Sequence, residues 1–127
     1  MSSPLFDYRK EAETFVGVMK DIAPELKLDF SPESIDALEA FISKNFDPPG
    51  SKYFGNSLIA GVGCYVGEVV IRAVGGRWNE QGLAEINGIG EIKALFPIQK
   101  ALKRFKNGPV DSLAHYYGTV LKYAPKK

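Results

Sequence analysis

The chain has 127 residues, 45% of them hydrophobic and 24% charged, with sixteen Lys+Arg against fifteen Asp+Glu for a formal charge of +1. That length predicts one domain over residues 1–127, and the composition excludes collagen-like, coiled-coil and disordered chains. Near-neutrality argues against a nucleic-acid binder, whose affinity rests on uncompensated cations. One cysteine and one histidine exclude an internal disulfide framework, a Cys-rich zinc site and a multi-histidine site, so no metal or cofactor is expected.

The start, Met1-Ser2-Ser3-Pro4-Leu5, has neither a basic region nor an apolar run of signal-peptide type. A cytoplasmic protein with a reduced Cys64 is therefore expected. A first helix is predicted from about Leu5 to Ile22, burying Tyr8, Ala12, Phe15, Met19 and Ile22, and ended by Pro24. A second begins at Ser31-Pro32-Glu33, with Ser as N-cap and Pro at the first helical position. Ile35, Leu38, Phe41 and Ile42 give its buried face, and Asp47-Pro48-Pro49-Gly50 stops it.

Leu58–Val74 is the most apolar stretch, short of the ~20 residues of a membrane span and carrying Glu68 and Arg72, so no span is expected. It lacks period-two alternation and reads as a helix buried on most of its circumference. Gly61, Gly63 and Gly67 cost helix propensity and point to close approach by a neighbouring element. They do not form a dinucleotide loop, because no strand and turn precede them.

After Gly75-Gly76 the period changes, and short apolar runs divided by Glu80-Gln81-Gly82 and Asn87-Gly88 predict two or three antiparallel strands. Asn87-Gly88 is a strong hairpin signal. Pro97 opens a helix with Ile98, Ala101, Leu102 and Phe105 on its apolar face and Lys100, Lys103, Arg104 and Lys106 toward water. The last helix starts near Asp111-Ser112 and buries Leu113, Tyr117, Val120 and Leu121.

The charge of +1 conceals an asymmetry. Residues 1–50 carry five basic and ten acidic side chains, whereas residues 51–127 carry eleven basic and five acidic. The two readings are attraction between surfaces within the domain and a dipolar surface that steers an acidic partner.

Glu68 and Arg72 have the spacing of a helical ion pair, the structural reading of a buried carboxylate. The functional reading places Glu68 with Tyr65 in a cleft that Arg72, Arg77 and Trp78 also line. Trp78 also suits a hairpin core. His115 reads as a solvated residue on the last helix, and Asp111-Ser112 as its cap. Cys64 and His115 could form a nucleophile and base only if the fold brought their segments together.

Gly63-Cys64-Tyr65-Val66-Gly67-Glu68, then Gly76-Arg77-Trp78, then Gly108-Pro109-Val110-Asp111-Ser112-Leu113 resemble a pattern in small uncharacterised bacterial cytoplasmic proteins. The likeness spans roughly residues 58–118. It implies an α+β fold and a bacterial origin; by analogy alone, it suggests an accessory or immunity-like role.

The combined expectation is a single α+β domain: two N-terminal helices, a central buried helix, a small antiparallel sheet and two C-terminal helices. Its function would be non-enzymatic protein interaction, through either the acidic N-terminal helical pair or the basic helix at 97–106, where Lys100, Lys103 and Arg104 offer a surface to an acidic partner. The alternatives are a small-ligand-binding domain or weak enzyme around Tyr65, Glu68 and Trp78, and a homodimer built through exposed helices.

Overall fold

A computed structural model describes residues 7–47, 56–89 and 92–123. In chain order its elements are α1 (Tyr8–Ile22), α2 (Pro32–Asn45), α3 (Asn56–Val74), β1 (Gly76–Trp78), β2 (Ala84–Ile89), β3 (Ile92–Leu95), α4 (Pro97–Asn107) and α5 (Leu113–Tyr123). A short 3-10 turn, Gly108–Asp111, joins the last two helices. The architecture is α+β, with helices surrounding a small antiparallel sheet and α3 at the centre.

Every residue of α3 from Gly61 to Val70 is buried. The helix packs most extensively on α1 and α4 and also touches α2, α5, β1 and β2. Its glycines mark the approaches. A side chain at Gly61 would meet the Phe15 ring, and one at Gly63 would lie 2.5 Å from the Ile98 Cα. One at Gly67 would strike the Trp78 indole. By length and composition Ser57–Val74 could cross a membrane, but 67% of it is buried within the fold, as in a core helix.

Asp7 caps α1 by accepting a hydrogen bond from the Lys10 amide at 3.0 Å. Leu5 lies outside the described residues. The buried stripe is Ala12, Phe15, Met19 and Ala23; Ile22, expected inside, is 55% exposed because Ala23 takes the inward position at the helix end. Ser31 is the N-cap of α2 by position, but its hydroxyl donates to Asp29 at 2.6 Å rather than capping. Helix α2 ends at Asn45, and Pro48-Pro49-Gly50 lies outside the described residues.

Gly75 (φ +86°) and Gly76 (φ +144°) make the turn out of α3, where a Cβ at Gly76 would also run into the Glu85 carbonyl. Strand β1 pairs antiparallel with β2, Arg77 opposite Glu85, and β2 pairs antiparallel with β3. Asn87-Gly88 does not form the turn: both residues lie inside β2, and the pairing of Ile89 with Ile92 puts the reversal beyond it. Burial of Ala84, Ile86 and Leu95 fixes the register, and the irregularity between Glu85 and Ile89 absorbs the difference.

Two assignments in α4 are corrected. Leu102 is exposed, and Arg104 is wholly buried. The inward stripe is Pro97, Ala101 and Arg104, spaced four and three residues apart, and the small Ala101 leaves room for the guanidinium stem. Helix α5 buries Leu113, Tyr117, Val120 and Leu121 as expected, and the Ser112 hydroxyl accepts from the His115 amide at 3.2 Å.

Candidate functional site

Glu68 sits six residues before the end of α3, and the double-glycine turn folds β1 back so that the Trp78 indole covers Gly67. Glu68 itself is 4% exposed. One oxygen accepts from Arg72 Nε at 2.8 Å, the other from Trp78 Nε1 at 3.0 Å, and Arg9 Nε lies 3.9 Å away. Both oxygens are thus hydrogen-bonded, which is the condition for a tolerable buried charge. The group joins α3, β1 and α1.

Tyr65, expected beside it, belongs to a different network. Its Oη accepts from the Phe30 amide at 2.9 Å and is hydrogen-bonded to the Ser34 hydroxyl, which reaches the Ser31 carbonyl. Burial pushes the Tyr65 phenol above its ordinary pKa, and the bond with Ser34 acts in the opposite direction. Phe30 is the one non-glycine with positive φ (64°) among the described residues. Tyr65 holds its amide, and the Arg72 guanidinium lies 3.8 Å over its ring. Of the five ligand candidates, the fold therefore brings Glu68, Arg72 and Trp78 together and leaves Tyr65 in the core. Arg77 is exposed, with Nε 3.1 Å from Glu85 across the ladder.

A cleft of about 650 Å³ lies in front of this cluster, between the start of α1 and the β1–β2 turn. Tyr8, Arg9, Arg77 and Trp78 line it together with residues of the turn. The Tyr8 and Trp78 rings stack with centroids 5.1 Å apart. Asn79 stiffens the turn: its Oδ1 accepts from the Gln81 and Leu83 amides at 2.9 and 3.0 Å, and its Nδ2 donates to Glu85. Bonds from Asn79 and then Arg77 hold the Glu85 carboxyl below its ordinary pKa. Sequence reading missed Tyr8 and Arg9 as cleft residues, because nothing in the local pattern says that the start of α1 meets the β1–β2 turn.

The basic residues of α4 separate into two kinds. Arg104 Nε donates to Glu39 at 2.8 Å, its terminal nitrogens grip both oxygens of Asp47 at 2.9 and 2.7 Å, and one of them also reaches Ser43. Glu39 passes its other oxygen to the first amide of α5, at Leu113. Burial disfavours the Arg104 charge, but the bonds to Asp47 and Glu39 outweigh it and raise the pKa above its ordinary value. Lys100 is half-buried and paired with Asp111 at 3.2 Å. Neither presents a free charge to a partner. Glu39, Ser43 and Asp47 are spaced by four residues, a one-face signal in the sequence that sequence reading did not connect to Arg104.

Lys103 and Lys106 are exposed and make no salt bridge among the described residues, although the Lys103 charge helps to hold the Asp111 carboxyl below its ordinary pKa, after the bonds from Asn107 and Lys100. Leu102 (46% exposed) on α4, and Phe96 (49%) and Val110 (85%) just before and after it, are exposed apolar residues. Cys64 is buried, its thiol pushed up to about 12 by burial first and by Glu11 second, while His115 is exposed on α5. A thiol so far from ionised is a poor nucleophile. Among the described residues no three metal-ligating side chains converge. No protein-family model matches the chain, and neither the curated proteins nor the solved structures contain a match to it.

Proposed function

We propose that this protein is a non-enzymatic interaction domain, cytoplasmic and of accessory or immunity type, whose outer α4 ridge docks on an acidic protein surface. The observation that carries this reading is the contrast within one helix. Helix α4 holds four cations and no acid; Arg104 and Lys100 are neutralised internally, whereas Lys103 and Lys106 remain exposed. Leu102, exposed next to Lys103 in the chain, supplies an apolar contact that a purely electrostatic encounter lacks. Charge of one sign on a rim chiefly accelerates encounter and excludes like-charged partners.

The test is capture from a lysate of the source cell at low and at physiological ionic strength. The wild type is compared with Lys103→Glu/Lys106→Glu and with Lys20→Glu/Lys44→Glu, which reverses two exposed charges elsewhere. The expected result is a salt-sensitive partner whose recovery falls about tenfold with the α4 variant and hardly at all with the control. Equal recovery by both variants, or no salt-sensitive partner, would overturn the proposal.

A further inference from the structure

The cleft at the start of α1 stands apart from the α4 ridge and has features of its own. We infer that it binds a small aromatic anion, a planar ring bearing one carboxylate or phosphate. Two cations line it. Arg77 is held by Glu85 through Nε alone, so among the described residues its two terminal nitrogens are unengaged and face solvent as a fork. A guanidinium fork of this kind matches the paired oxygens of a carboxylate or phosphate. Arg9 lies 3.9 Å from both Glu13 and Glu68, too far for a hydrogen bond, and is 67% exposed. It can swing toward an anion at little cost.

The ring preference comes from the stacked pair of Tyr8 and Trp78, both lining the cleft. A third ring placed against such a pair gains the offset or edge contact that aromatic groups favour. The walls are fixed before a ligand arrives. Tyr8 Oη donates to the Glu80 carbonyl at 3.3 Å, Trp78 Nε1 is anchored on Glu68, and Asn79 ties the turn. A preformed site loses less entropy on binding. Two carboxylates also line the cleft. Asp7 caps α1 through Oδ1 and Glu80 is exposed at the turn, and both keep a negative charge that opposes an anion, which the two arginines must outweigh. Removing the Glu80 charge should therefore tighten binding.

Trp78 is the only tryptophan, so its indole N–H gives a single resonance at the cleft wall in a nitrogen-15 correlation spectrum. The full chain is titrated separately with benzoate, phenyl phosphate, benzyl alcohol and inorganic phosphate. A saturable shift of that resonance is expected with benzoate or phenyl phosphate, the stronger of the two identifying the acid group. Neither benzyl alcohol nor inorganic phosphate should match it. Arg77→Gln, whose folding is checked from the dispersion of the same spectrum, should weaken binding about tenfold, and Glu80→Gln should strengthen it by about threefold. The inference is overturned by absence of a saturable shift with both aromatic anions up to about 10 mM. It is equally overturned if the neutral ring or bare phosphate binds as well as they do, or if Arg77→Gln has no effect.

Discussion

Arg104 shows how one side chain can organise a protein of this size. Its guanidinium is removed from water and met by Glu39 and Ser43 of α2 and by Asp47 just beyond its end, and Glu39 then caps the first amide of α5. Truncating one member of such a cluster strands the others. Arg104→Ala is accordingly expected to cost about 3–5 kcal/mol in urea unfolding, far more than removal of an exposed cation such as Lys103. A loss below about 1 kcal/mol would show that water compensates the stranded acids. The same cluster sets a pH dependence. The bond from Arg104 holds the Asp47 carboxyl below its ordinary value of 3.8, with burial opposing. A carboxyl with a depressed folded-state pKa contributes stability above its unfolded value, and that contribution disappears as pH falls through the folded one. Asp47→Asn should thus be less stable than wild type at neutral pH, with the gap closing below 3.8. Stability curves that stay parallel well below pH 3.8 would refute the assignment.

At the scale of elements, the crossing of α3 and α4 is set by a missing side chain. A methyl at Gly63 would meet the Ile98 Cα at 2.5 Å and the Pro97 carbonyl at 2.9 Å, both backbone atoms that cannot rotate away. Gly63→Ala should therefore destabilise by roughly 1–3 kcal/mol or more, despite a gain in helix propensity. Gly17 on α1 has nothing within 4 Å of such a methyl. Gly17→Ala should raise stability by up to ~1 kcal/mol. Thermal melts of the two variants give opposite shifts if the crossing is as tight as it stands. These contacts explain what was legible in the sequence. The glycines of α3 announce a close neighbour, because a buried helix has no other use for three of them. They do not name it, and three different partners, Phe15, Ile98 and Trp78, fill the three places. The hairpin was readable only as a hairpin. Asn87-Gly88 has the local preference for a turn, but burial of Ala84, Ile86 and Leu95 overrode it.

Across the whole molecule, the opposed charges of the two halves are partly spent in joining them. Arg104 meets Glu39 and Asp47, and Arg72 lies 3.7 Å from Glu13. Each pair joins the basic half to the acidic half. Attraction within the domain therefore accounts for some of the asymmetry, and the basic surface shrinks from the four cations of α4 to Lys103 and Lys106. The wrapping of α3 by the rest of the chain has a measurable consequence at Cys64. Its thiol is buried at the centre of the fold and pushed up to about 12. A thiol reagent should label it only when the molecule opens, so that the labelling rate follows the stability of Gly17→Ala and Gly63→Ala in opposite directions. Rapid labelling in native buffer, independent of those substitutions, would mean that the thiol is reachable in the folded state.

The sequence by itself determined the order and kind of the elements, the central place of α3, the strand region after Gly75-Gly76 and the pairing of Glu68 with Arg72. Those features are written in periodicity, in glycine and proline positions and in i,i+4 spacing, all of which act over a few residues. Tertiary structure alone decided that Arg104 is buried while Lys103 and Lys106 are exposed. It alone decided that Tyr65 bonds Phe30 and Ser34 rather than joining Glu68, and that Tyr8 and Arg9 line one cleft with Arg77 and Trp78. The reason is physical: a charged side chain can be buried only if its counter-charges arrive with it, and those of Arg104 come from 57 and 65 residues away.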